Sequence, residues 1–158
     1  MGAINNAFNQ AAGTVAGAAL VIKHAKETEE SKMNTADSTA LIARNQARAA
    51  NDEADAANAE AAKKGGLYQQ LAGAEVDREE AEKAYNRAVK RKNGSARTRY
   101  EKLNDLMAAQ KAEDELNKKY QALMNINYRA EEQLNYASKA TELAIKAKQK
   151  YEKHWGGK

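Results

Sequence analysis

Thr35–Lys64 reads TADSTALIARNQARAANDEADAANAEAAKK, and the placing of its alanines decides the fold. Ala36, Ala40, Ala43, Ala47, Ala50, Ala54, Ala57 and Ala61 recur at intervals of 4, 3, 4, 3, 4, 3, 4. A period of about 3.5 residues keeps all eight side chains on one face of a helix. Alanine at every seam position lets two backbones approach more closely than leucine would. The expected partner is another helix carrying small residues, from this chain or a neighbour. Alanine as simple helix-forming filler is the competing reading.

The composition of the whole chain points the same way. Alanine occurs 35 times in 158 residues, while Val, Ile, Leu and Phe together occur 20 times. There is no Pro and no Cys, which excludes a disulfide scaffold and a cysteine-ligated metal site. Scarce Val, Ile and Thr argue against a β-rich fold. Abundant Ala, Glu, Lys and Gln argue for helix. Twenty large apolar side chains are few for a chain of this length, so association is expected to supply part of the buried area.

Glycine and asparagine punctuate the helical stretches. Gly65-Gly66 follows Lys63-Lys64, a basic last turn before a glycine stop. Asn93-Gly94 follows Lys90-Arg91-Lys92 in the same way. Beyond it, Thr98 to Glu101 reads as a capping box, with Ser95 as the other candidate cap. Asn34 is a weaker N-cap. The expected organisation is one elongated unit of helices over 1–31, 35–64, 67–92 and 95–155. The first two could be a single helix, because nothing between Glu30 and Asn34 forces a break. The last stretch lacks Gly and Pro and would be about 90 Å long at the α-helical rise. The fold class is therefore all-α: an elongated helical bundle or coiled coil of long helices, with a helical hairpin around Asn93-Gly94.

A second seam runs through the last helix. Leu116, Tyr120, Leu123, Ala130, Leu134, Ala137, Ala144 and Tyr151 fit the same spacing, interrupted by Asn127, Thr141 and Lys148. Polar residues inside a seam set register at some cost in stability. All seven Tyr and Trp155 lie after residue 67, where they serve as core filler or as interface anchors.

Residues 1–22 carry no charged side chain. The run Ala11–Ile22, AAGTVAGAALVI, contains Gly13 and Gly17 in a GxxxG spacing, a helix-dimer face in lipid. Twelve residues fall short of the roughly twenty that span a bilayer. No Lys or Arg precedes the run, as a secretory signal would require. Gly13, Gly17, Leu20, Val21 and Ile22 are candidate membrane or oligomer contacts: a tightly packed helix, or a segment that enters a membrane conditionally.

No catalytic constellation stands out. His24 and His154 are far apart, and neither has a His or carboxylate at helical spacing to complete a metal site. Asp77, Glu79, Glu80 and Glu82 crowd the first half of a helix, where the dipole favours them. The expectation is no enzyme, no cofactor and no metal. One charge cluster remains. Between Lys83 and Tyr100 lie Lys83, Arg87, Lys90, Arg91, Lys92, Arg97 and Arg99, with no acid among them. They either complement a helix C-terminus or contact phosphates of nucleic acid or lipid headgroups.

The glycine- and alanine-rich start MGAINNAFNQAAGTVAGAALVIKHA runs into the Ala/Gln/Asn-rich helix TALIARNQARAANDEADAANAEAA. Over residues 1–64 the chain resembles the small internal virion, or DNA-ejection, proteins of short-tailed bacteriophages. The resemblance implies an oligomeric helical protein inside the head or near the portal, with a role in escorting DNA into the host. The expected function is thus a non-enzymatic structural protein of a phage particle. Its partners would be copies of itself, other virion proteins and nucleic acid bound without sequence preference. It would be made in the host cytoplasm and located in the virion. The alternatives are a membrane-active pore-former inserting residues 11–22, and a coiled-coil adaptor in the cytoplasm.

Overall fold

In a computed structural model the backbone is described for residues 2–156 and the side chains for residues 18–156. The fold is an all-α bundle of long helices that pack against one another: α1 (Gly2–Ala62), α2 (Leu67–Lys90) and α3 (Ala96–Trp155). No strand occurs among the described residues.

The turns differ from the sequence expectation in detail. The start signal at Asn34 does not break the chain, and 1–31 and 35–64 form one helix, α1. No Gly or Pro interrupts it there, and Ala36 already packs against buried alanines, so continuing the helix retains both backbone hydrogen bonds and packing. α1 stops at Ala62 rather than 64, with Lys63 and Lys64 in the turn. α2 stops at Lys90 rather than 92, because Arg91 takes an extended conformation (φ −70°, ψ 120°). α3 begins at Ala96, and its cap is Ser95: the Thr98 N–H donates to Ser95 Oγ at 3.1 Å. The capping box at Thr98 is therefore absent, since Thr98 already lies inside the first turn.

The α1–α2 turn is closed by its glycines. Gly65 has φ 77°, a conformation that costs other residues a Cβ clash. A Cβ on Gly66 would stand 2.6 Å from the Glu60 carbonyl oxygen and 2.7 Å from that of Ala61. Gln69 Oε1 accepts from the Gly65 N–H at 2.7 Å, and Gln70 Nε2 donates to the Gly65 carbonyl at 2.8 Å.

Contacts divide the chain into two compact units, whereas the sequence pattern suggests one. The first comprises residues 1–47 and 133–158, the second residues 48–132. In the first, the buried apolar cluster between α1 and α3 is alanine: Ala40, Ala43 and Ala47 meet Ala137, Ala140 and Ala144. In the second, all three helices contribute, with Ala54, Ala61, Ala74, Ala88, Leu106, Leu123 and Ala130 buried. There Arg78 of α2 donates through Nε to the Glu113 carboxylate of α3. Arg78 lies 15 residues before Asn93 and Glu113 19 residues after Gly94, so the pair joins the two arms of the hairpin around that turn.

Candidate contact surfaces

The alanine face of α1 is wholly turned inward. Ala40, Ala43, Ala47, Ala54 and Ala61 are buried, Ala43 to 1% exposure, and Ala36, Ala50 and Ala57 are half-buried. In the first unit its partner is the alanine row of α3, within the same chain. On α3 the inward row keeps the sequence seam at Leu116, Tyr120, Leu123, Asn127 and Ala130 and departs from it beyond Ala130 at two positions. Leu134 is 54% exposed and Lys148 is exposed, while Gln133, Ala140 and Ala147 face inward. Both registers share Ala137, Thr141, Ala144 and Tyr151. At Ala140 and Ala147 the inward positions are small, as close helix approach requires, whereas Gln133 is nearly as bulky as the Leu134 it replaces on that face.

Large aliphatic side chains face outward. In the first unit Leu41 and Ile42 of α1 and Leu143 and Ile145 of α3 are all more than half exposed. Leu20, Val21 and Ile22 are exposed as well. Gly13 and Gly17, the other two residues of that candidate contact, lie outside the residues whose side chains are described. Among the described residues no helix is long and apolar enough to cross a membrane.

His154 has no partner at helical spacing, and the structure supplies one from α1. Glu29 receives the Trp155 Nε1–H at 2.8 Å, lies 3.0 Å from His154 Nδ1, and has Lys150 Nζ at 3.9 Å. Desolvation pushes the Glu29 carboxyl up, but the hydrogen bonds from Trp155 and His154 and the neighbouring charges of His154 and Lys150 outweigh it. Glu29 is held below its ordinary value of 4.5. A separation of 125 residues hid this cluster, and no local pattern could have revealed it. No group of three His, Cys, Asp or Glu side chains able to hold a metal gathers among the described residues.

The basic cluster lies entirely in the second unit, around the α2–α3 turn. Lys83, Arg87, Lys90, Arg91, Lys92 and Arg97 are exposed, and Arg99 is half-buried. Arg97 Nε pairs with Glu101 at 3.0 Å. Lys83, Arg87, Lys90, Arg91 and Lys92 make no ion pair with any described residue. Residues Arg91 to Ser95, with Ala88 and Thr98, surround a shallow depression beside the α3 N-terminus.

No family model, no curated protein and no solved structure matches the chain.

Proposed function

We propose that the protein is a non-enzymatic structural component of a phage particle, inside the head or near the portal, that assembles with copies of itself and with other virion proteins. The observation that supports the reading is the inverted packing of the first unit. Its core is six alanines, each contributing about one methyl, or roughly 0.8 kcal/mol, of apolar burial. Its described leucines and isoleucines meanwhile stand in solvent. A pair of helices that spends its smallest side chains on its own core leaves its larger ones for another surface. The likeness of residues 1–64 to internal virion proteins supplies the setting, and a role in DNA ejection follows from that setting. Sedimentation velocity tests the assembly. Wild type sediments as an oligomer, and L143Q/I145Q sediments as a monomer with unchanged helicity. A monomeric wild type at tens of micromolar sinks the reading.

The exposed triad Leu20, Val21 and Ile22 favours a second reading, in which residues 11–22 enter a membrane. Flotation with vesicles separates the two, because an assembly protein stays with the lipid-free fraction.

A further inference from the structure

We infer that the α2–α3 turn is a contact for the phosphate backbone of duplex nucleic acid. Lys83, Arg87 and Lys90 follow one another at i, i+4 and i+7, so they form one row along α2. That row lies opposite the buried Ala74 and Ala88, and Arg91 and Lys92 extend it into the turn. All five are exposed, and none pairs with an acid. Complementing the α2 C-terminus accounts for Arg87 and Lys90, the basic residues of its last turn.

It does not account for the cations across the turn. α3 has no acidic residue in its first turn and opens with Arg97 and Arg99 instead. Cations there face the positive end of a 60-residue helix dipole, the unfavourable arrangement. Arg97 is partly offset by Glu101. The cations of α2 and the positive end of α3 thus converge on one place, beside the depression floored by Gly94, Ser95 and Thr98. Such an accumulation is relieved by a bound polyanion. Beside the row Val89 is 49% exposed, and Tyr100 across the turn is 66% exposed; one valine is too little apolar surface to hold a bilayer, and one ring is no platform for successive unpaired bases. Tyr85 is half-buried on the other side of α2. The backbone of a duplex, met without reading its bases, fits these groups.

The inference rests on the particle role only for the duplex as partner. The test is fluorescence anisotropy of a labelled random-sequence duplex, from about 50 to about 200 mM salt, on wild type, K90Q/R91Q/K92Q and R97Q. Five unpaired cations give a slope of log affinity on log salt of about −4.5, or about 500-fold weaker binding across that range. The triple variant loses about 2.7 of that slope with an unchanged helical signal. R97Q binds more weakly while its thermal midpoint does not fall, because a cation has left the positive end of a helix. No duplex binding at low salt, or equal slopes for wild type and the triple variant, overturns the inference. So does binding to anionic vesicles alone that the triple variant abolishes. Sedimentation of the same samples keeps the readings apart. Duplex binding by a monomer removes the assembly role and leaves the contact, and an oligomer that ignores DNA does the reverse.

Discussion

Asn58 and Asn127 exchange two amide hydrogen bonds between α1 and α3 in the second unit. Asn58 Nδ2 donates to Asn127 Oδ1 at 2.7 Å, and Asn127 Nδ2 donates back to Asn58 Oδ1 at 3.1 Å. Both residues are half-buried. The reciprocal geometry closes at one alignment of the two helices. A slip by a single residue would leave two amides without partners, so the pair fixes register as polar seam residues do.

Removing one half of the pair strands the other. Asn127→Ala is expected to lower stability by about 1 kcal/mol, the lower end of the cost of an unsatisfied buried amide because the site is only partly enclosed. Replacing both residues with leucine is expected to recover stability while broadening the amide NMR spectrum as alternative registers become populated. Urea denaturation and a double-mutant cycle check both statements. Zero coupling between the two positions contradicts them.

The alanine seam is expected to reject bulk according to burial. Ala43→Leu and Ala47→Leu enlarge residues at 1% and 3% exposure and are expected to destabilise by about 1–3 kcal/mol. Ala59→Leu lies on the exposed side of α1 and is expected to change stability by less than about 0.5 kcal/mol. Equal denaturation midpoints for the three variants would remove close helix approach as the reason for the seam.

Glycines of opposite environment are expected to respond with opposite sign. At Gly66 an added Cβ meets three carbonyl oxygens between 2.6 and 2.8 Å, so Gly66→Ala must distort the α1–α2 turn and destabilise. At Gly73, inside α2, nothing lies within 4 Å of an added Cβ, so Gly73→Ala is expected to stabilise by about 0.5–1 kcal/mol through helix propensity. Thermal melts of the two variants on either side of wild type are the expected result.

Acid is expected to loosen the first unit at Glu29. Its carboxyl titrates below its ordinary value in the folded chain. The folded state therefore holds fewer protons there than the unfolded state does. The stabilisation is complete above the ordinary value of 4.5 and is lost as pH falls through the lower, folded value. Trp155, the only tryptophan, donates to this carboxylate, so its fluorescence reports the loss directly. Glu29→Gln is expected to abolish that transition below pH 4.5. A fluorescence titration identical in wild type and variant would show that the cluster contributes nothing.

How far the chain itself specifies these features can be followed along α1. The alternating spacing of eight alanines from Ala36 to Ala61 determines which face of the helix is buried, because helical periodicity is a local property and every helix obeys it. The same locality explains why Gly65-Gly66 and Asn93-Gly94 place the turns to within two residues. Chain ends of helices are set by the last favourable backbone bond, which the glycines and the Ser95 hydroxyl decide. The row of cations is equally legible, since it requires only the helical repeat and a run without acids, whereas their lack of acidic partners is decided by the tertiary structure.

The partner of the seam is a different matter. On α3 two registers share Ala137, Thr141, Ala144 and Tyr151, and a local pattern weighs Leu134 above Gln133 because leucine is the more apolar. Tertiary packing reverses that choice. Once Ala40, Ala43 and Ala47 draw α3 close, Ala140 is buried against them, and beyond it Gln133 is half-buried while Leu134 is 54% exposed. The meeting of Glu29 with His154 and Trp155, and of Asn58 with Asn127, belongs to the same level. Each joins residues separated by 69 positions or more. Their alignment is set by the sum of small contacts along two helices, and it exists only once those helices have met.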